Sequence, residues 1–176
     1  DHLNSRDTLA FIIKNNPPLT KNTILKLHSM LLQKIDSRTG YFRKHEVRVV
    51  RADFQTSPAG YVLTDMTLLL KWLQKAAENL HPLIAAALFH EKFERIHPFY
   101  DGNGRTGRML ANLILINAGF PPMIIEKKKR KEYYHVLAQG HKAPLFGIDK
   151  GHYVPIVAFF YDALTAAHEG VFYKWG

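Results

Sequence analysis

The sequence contains no cysteine. That absence excludes a disulfide framework, thiolate zinc sites, iron–sulfur clusters and cysteine nucleophiles. No apolar run approaches the ~18 residues that a membrane-spanning helix needs. The opening DHLNSR stretch holds no apolar leader core. Ten histidines are present, but no His-Glu-x-x-His or comparable ligand spacing joins them, which argues against a zinc hydrolase. The chain also lacks an initiator Met, which points to a fragment or processed form with its N-terminal region truncated.

What is present is an ordinary folded composition, 47% hydrophobic and 22% charged over 176 residues. At about 150 residues per domain this predicts a single domain over 1–176, with room for a core that needs no staples. Lys plus Arg number 24 against 15 Asp plus Glu, a net charge of +9 that favours anionic partners. The densest basic run is Lys127, Lys128, Lys129, Arg130 and Lys131. No aromatic residue is interleaved in it, so it reads as a solvated helix start, which argues against nucleic acid as a partner.

Helical periodicity dominates. Ser5 is placed to cap a first helix carrying Leu9, Phe11, Ile12 and Ile13, which ends before Pro17 and Pro18. Thr20 caps a second, with Ile24, Leu27, Leu31 and Ile35 at spacings of three and four. After turn residues at 36–40 the pattern alternates, Val47, Val49 and Arg51 on one face and Arg48 and Val50 on the other, which predicts a small β-hairpin over 41–58. Helix returns near Thr64, and again from Pro82 to Ile96. A Gly-rich loop over 97–104 leads to a helix from Met109 to Ala118, and two more follow near 129–139 and 154–168. The expected fold is a mostly α helical bundle with an inserted hairpin.

The chemistry concentrates in His97-Pro98-Phe99-Tyr100-Asp101-Gly102-Asn103-Gly104-Arg105-Thr106-Gly107-Arg108. A loop that opens a helix offers unpaired amides and the positive end of the helix dipole. Gly102, Asn103 and Gly104 resemble an anion nest. Arg105 and Arg108, three apart, put two guanidinium groups on one face. Asp101 is a hard oxygen donor suited to Mg²⁺, and His97 suits a general base near neutral pH. The set fits phosphoryl or nucleotidyl transfer. A Gly-Asn-Gly turn and a His before Pro can equally be structural. The loop is not a Walker A motif.

These residues resemble the signature of the Fic family, His-Pro-Phe-x-Asp/Glu-Gly-Asn-Gly/Lys-Arg, with Arg108 matching the second arginine of its longer form. The similarity extends from about residue 3 to 168. Gly40-Tyr41-Phe42-Arg43 with Val47 and Val49 is similar to the family's hairpin flap, and Ala118-Gly119-Phe120-Pro121-Pro122 to the segment after the motif. The resemblance implies a Fic fold and transfer of AMP from ATP to a Ser, Thr or Tyr hydroxyl of a target protein. His97 would then deprotonate that hydroxyl, and Asp101 would hold Mg²⁺. Residues 102–108, Thr106 and Gly107 included, would bind ATP phosphates, with Asn103 at the α-phosphate and Arg105 and Arg108 on the outer ones. Phe99 would anchor the loop. Tyr133 and Tyr134 would lie near adenine and ribose, or simply pack. Val49, Val50, Arg51 and Ala52 would pair with an extended target segment.

Gly104 matches the adenylylating members, whereas the Doc-like phosphate-transferring subgroup carries Lys there. Transfer of phosphate or of a phosphocholine group stays open, as does a basic nucleic-acid-binding module. Restraint by an inhibitory helix or a separate antitoxin is a family property. Thr165-Ala166-Ala167-His168-Glu169-Gly170 matches the inhibitory sequence, with Glu169 as the residue that would meet Arg108, although its Thr falls within the last predicted helix. Fic relatives often form homodimers. The lack of cysteine and of a leader favours a cytoplasmic setting without membrane contact, and secretion into another cell stays open.

Overall fold

In the computed structural model, which describes residues 2–49, 54–147 and 149–172, with side chains through Ala167, seven α-helices carry the architecture. They are α1 (His2–Asn15), α2 (Lys21–Leu32), α3 (Val62–Asn79), α4 (Pro82–Ile96), α5 (Asn103–Asn117), α6 (Arg130–Gly140) and α7 (Lys150–Phe172). Among the described residues none of the helices is long and apolar enough to cross a membrane.

The local reasons mostly follow the sequence. Thr20 is the N-cap of α2 and accepts from the Thr23 amide at 3.2 Å. Pro82 opens α4 behind His81, whose Nδ1 accepts from the Leu83 amide. Several helix limits differ from those read off the pattern. α1 begins at His2, so Ser5 lies inside it and not ahead of it. α2 ends at Leu32, and Lys34 takes a left-handed φ of 64°, which turns Ile35 out to 47% exposure. α7 begins at Lys150 and not near 154, because Asp149 accepts from the Gly151 amide at 3.0 Å and starts the helix ahead of Pro155.

The hairpin expected over 41–58 is not seen: no described residue lies in a strand. Segments 41–49 and 54–58 are irregular, and Thr56 Oγ1 donates to the Val47 carbonyl at 3.4 Å. A lone pair of strands without a third strand or a covered face has little stability of its own. Val50, Arg51 and Ala52 lie outside the described residues.

α4 is the axis of the molecule. Helices α1, α2 and α3 pack on one side of the α4–α5 pair around Ile24, Leu27, Met66, Leu69, Phe89 and Phe93. Helices α6 and α7 pack on the other side around Leu88, Leu115, Val136, Ile156 and Phe160. With apolar neighbours on both flanks, α4 buries His90, Glu91, Lys92 and Glu94 along with its hydrophobic residues. A charged residue is seldom fully buried unless paired, so this helix sets the electrostatics of the interior.

Candidate functional site

The site forms where α4 stops and α5 starts. His97 ends α4 in the left-handed conformation, φ 53° and ψ 59°, with its amide still bonded to the Phe93 carbonyl at 3.0 Å. Its Nδ1 lies 3.1 Å from the Glu94 carbonyl, which can only accept, so Nδ1 carries the proton and Nε2 keeps its lone pair. Burial lowers the imidazole pKa from the usual 6.5, and the nearby Arg43 charge adds to this. His97 is therefore a neutral base with a fixed tautomer.

The loop from His97 turns back into α5 through Gly102, at φ 75°. A Cβ there would lie 2.8 Å from Leu32 Cδ1, so both the backbone angle and the space call for glycine. α5 begins at Asn103, six residues ahead of Met109, because the loop ends in this tight turn. The first intrahelical bond runs from the Thr106 amide to the Gly102 carbonyl at 2.9 Å. The amides ahead of it, Gly104's among them, sit at the positive end of a 15-residue helix. Beside that end Asp101 pairs with Arg105 at 3.1 Å, an exposed carboxylate against a largely covered guanidinium. Arg108 reaches back past Gly104 to lie 5.8 Å over the Tyr133 ring.

Several residues of the motif hold the site and do not face it. Asn103, expected at a phosphate, is buried, and its amide group is used on Phe99: Nδ2 donates to the Phe99 carbonyl and Oδ1 accepts from the Phe99 amide, both at 2.9 Å. Thr106 is fully buried, and Gly107 faces α4, where a Cβ would lie 2.5 Å from Glu94 Oε1. Tyr133 is buried too, its hydroxyl 2.8 Å from His90 Nε2. Tyr134 is exposed, with Arg130 donating to its hydroxyl at 3.2 Å. Phe99 is a core residue, as the resemblance implies. The 165–170 match lies inside α7, where the Thr165 hydroxyl donates to the Tyr161 carbonyl at 3.0 Å. The side chain of Glu169 lies outside the described residues.

Two residues that the motif does not contain hold the loop. His28, on α2, stacks on Phe99 with ring centroids 3.6 Å apart and planes 3° off parallel. Its Nδ1 accepts from the Gly40 amide at 3.1 Å, so Nε2 carries the proton and donates to the Asp101 carbonyl at 3.1 Å. Burial lowers its pKa and keeps it neutral. Arg43, 2% exposed, donates from Nε to the His97 carbonyl at 2.8 Å and from its terminal nitrogens to the carbonyls of His45, Ser57 and Ile96. It ties the end of α4 to both arms of the 41–58 segment. The only sequence signal for His28 is a polar residue on the apolar stripe of α2.

Comparison with known proteins follows this geometry. The sequence model described as the Fic/DOC family matches residues 18–115. The protein adenylyltransferase Fic of Drosophila mojavensis is 42% identical over 125 residues, 68% of this chain and 24% of that protein. The chain thus spans about a quarter of the length of the curated relatives it matches. A Fic domain containing signaling protein from Bacteroides thetaiotaomicron superposes with a TM-score of 0.82 at 27% identity, covering 92% of this chain and 66% of that one. Fic-1 of C. elegans gives a TM-score of 0.78 at 27% identity, over 98% of this chain and 51% of that one.

Proposed function

The chain belongs to the Fic/DOC family, and from that premise we propose that it transfers AMP from ATP to a Ser, Thr or Tyr hydroxyl of a target protein. The observation that carries the proposal is His97, a neutral base whose Nε2 keeps its lone pair, at the head of the loop that opens α5. Nε2 takes the proton of the target hydroxyl as its oxygen bonds to the α-phosphorus. The bond from that phosphorus to the bridging oxygen of the β-phosphate breaks, and pyrophosphate leaves with the electron pair. The α5 amides and the Arg105 and Arg108 guanidinium groups neutralise the phosphates, so positioning and charge do the chemistry.

The residues present fit a Mg²⁺ ion. Asp101 offers an exposed carboxylate beside the phosphate end of α5. No group of three His, Cys, Asp or Glu gathers among the described residues. One carboxylate with the remaining ligands from phosphate and water is the usual Mg²⁺ arrangement at nucleotides. When bound, the ion would offset phosphate charge. Asn103 acts in this reading by holding the loop, and Tyr133 by backing Arg108. In this reading the target segment pairs with Val49, Val50, Arg51 and Ala52, of which Val49 is described and lies in no strand.

The test is label transfer from α-phosphate-labelled ATP to protein, read beside ATP binding. His97→Ala removes all transfer and leaves ATP affinity within about twofold, since the base touches the hydroxyl and not the phosphates. Transfer that survives in the variant contradicts the assignment.

A further inference from the structure

Glu94 is a carboxylate that no step above uses, buried on the axial helix three residues before His97. Its Oε1 is buried and has no hydrogen-bond partner. Gly107 of α5 makes room for it, and Gly104 makes room for Arg108 beside it. A Cβ at Gly107 would lie 2.5 Å from Oε1, and a Cβ at Gly104 would lie 3.9 Å from Oε2 and 3.2 Å from an Arg108 terminal nitrogen. The Arg108 guanidinium thus lies back along α5 toward its N-terminus, over the place where residue 104 would carry a side chain. The Tyr133 ring backs it, with the Tyr133 hydroxyl joined to His90.

We propose that Glu94 is a positioning residue for nucleotide binding: without forming an ion pair, its charge draws the Arg108 guanidinium into the channel cleared by Gly104 and Gly107, aimed at the outer phosphates. This rests on the reading of the α5 end as an ATP site. An arginine in this setting has many rotamers to lose when it meets a phosphate, and a buried carboxylate beside it removes that loss in advance. The groups facing Glu94 are Arg108 from α5, Tyr133 from α6 and His90 from its own helix. Of these three, Arg108 alone is charged at neutrality, because burial pushes His90 down to about 3 and raises Tyr133. Burial likewise pushes Glu94 up to about 7, against the pull of Arg108. The carboxylate is ionised and holds Arg108 above that pH, and it takes up a proton and lets go below it.

Calorimetric titration of the chain with ATP and Mg²⁺ tests this, with Glu94→Gln compared with wild type at pH 8 and pH 6. At pH 8 the variant binds ATP about fivefold more weakly, the scale of one buried charge acting on a neighbouring guanidinium. At pH 6 the two differ by less than about twofold, because the wild-type carboxyl is then largely protonated. ATP's own titration is common to both proteins and cancels in the ratio. On an Arg108→Ala background the Glu94→Gln effect disappears. Equal affinities at pH 8, a ratio that does not change with pH, or a fivefold loss that persists without Arg108 overturns the proposal. If Glu94→Gln does not fold, Gly104→Ala puts a methyl against Arg108 and weakens ATP binding at pH 8 by a similar factor; no loss there overturns it equally. Binding and transfer are read separately. A wild type that binds ATP without transferring AMP fails the functional reading and leaves this one standing.

Discussion

His28 and Arg43 hold the 97–102 loop from outside its motif, and their distance along the chain hides them: 73 residues separate His28 from Asp101, and 54 separate Arg43 from His97. The grouping of His97, Asp101, Arg105 and Arg108 at the α4–α5 junction was legible because they lie close together in sequence and are chemically distinctive. Asn103 and Tyr133 read as ligands because both are polar near a Gly-rich loop or a helix beside it. In the fold both are buried, with Asn103 bonded to Phe99 and Tyr133 to His90, and that burial depends on residues distant along the chain. Replacing His28 by Ala removes the ring stacked on Phe99 and the bond to Asp101. We expect ~2–4 kcal/mol of lost stability, and a fall in kcat at temperatures where melting curves show the variant folded. His97 also sets a pH profile. Because burial holds its pKa below 6.5, kcat stays level above 6.5 and falls with acid through a midpoint lower than that. A midpoint above 6.5 would mean that another group controls the rate.

At the scale of elements, caps and punctuation made α2, α4 and the end of α5 readable, since Thr20, Pro82 and Gly119 each mark a boundary locally. The start of α5 was misplaced by six residues because Gly102, Gly104 and Gly107 look like loop. Glycine costs about 1 kcal/mol in a helix interior, and Gly107 sits in one because α4 comes too close there for a side chain. Gly107→Ala should therefore destabilise and not stabilise. Its methyl would meet Glu94 Oε1 at 2.5 Å and His90 Nδ1 at 2.9 Å, and overpacking of this kind costs ~1–3 kcal/mol. Denaturant melts check the sign; a gain in stability would show that α4 and α5 can move apart. The alternation over 47–51 promised a hairpin, but period alone supplies no third strand.

The whole molecule carries an unusual interior, with titratable groups lined along α4. Burial pushes His90 down to about 3 and His141 down to about 4, so both stay neutral in the fold while an unfolded chain protonates them below 6.5. That difference removes stability as pH falls from 6.5 toward 3. Glu94 works the other way. Raised from 4.5 to about 7, it keeps a proton in the fold that the unfolded chain gives up, so it removes stability as pH rises through that window, and Glu91 is raised by burial likewise. Burial lowers His28 and His97 as well, so below 6.5 four histidines remove stability and two carboxyls offset part of that loss down to 4.5. Thermal melts should give a shallow fall in Tm from pH 6.5 to 4.5 and a steeper one beneath it. A fall as steep above 4.5 as below it would show that the buried carboxyls ionise more readily than their surroundings imply.

The most direct measurement of the central claim uses ATP labelled at the α-phosphate in one reaction and at the γ-phosphate in another, each with Mg²⁺, for wild type and His97→Ala. AMP transfer predicts α-label on protein, no γ-label, and neither label with the variant. Label from the γ-phosphate on protein would contradict it, placing the chain among enzymes that transfer phosphate.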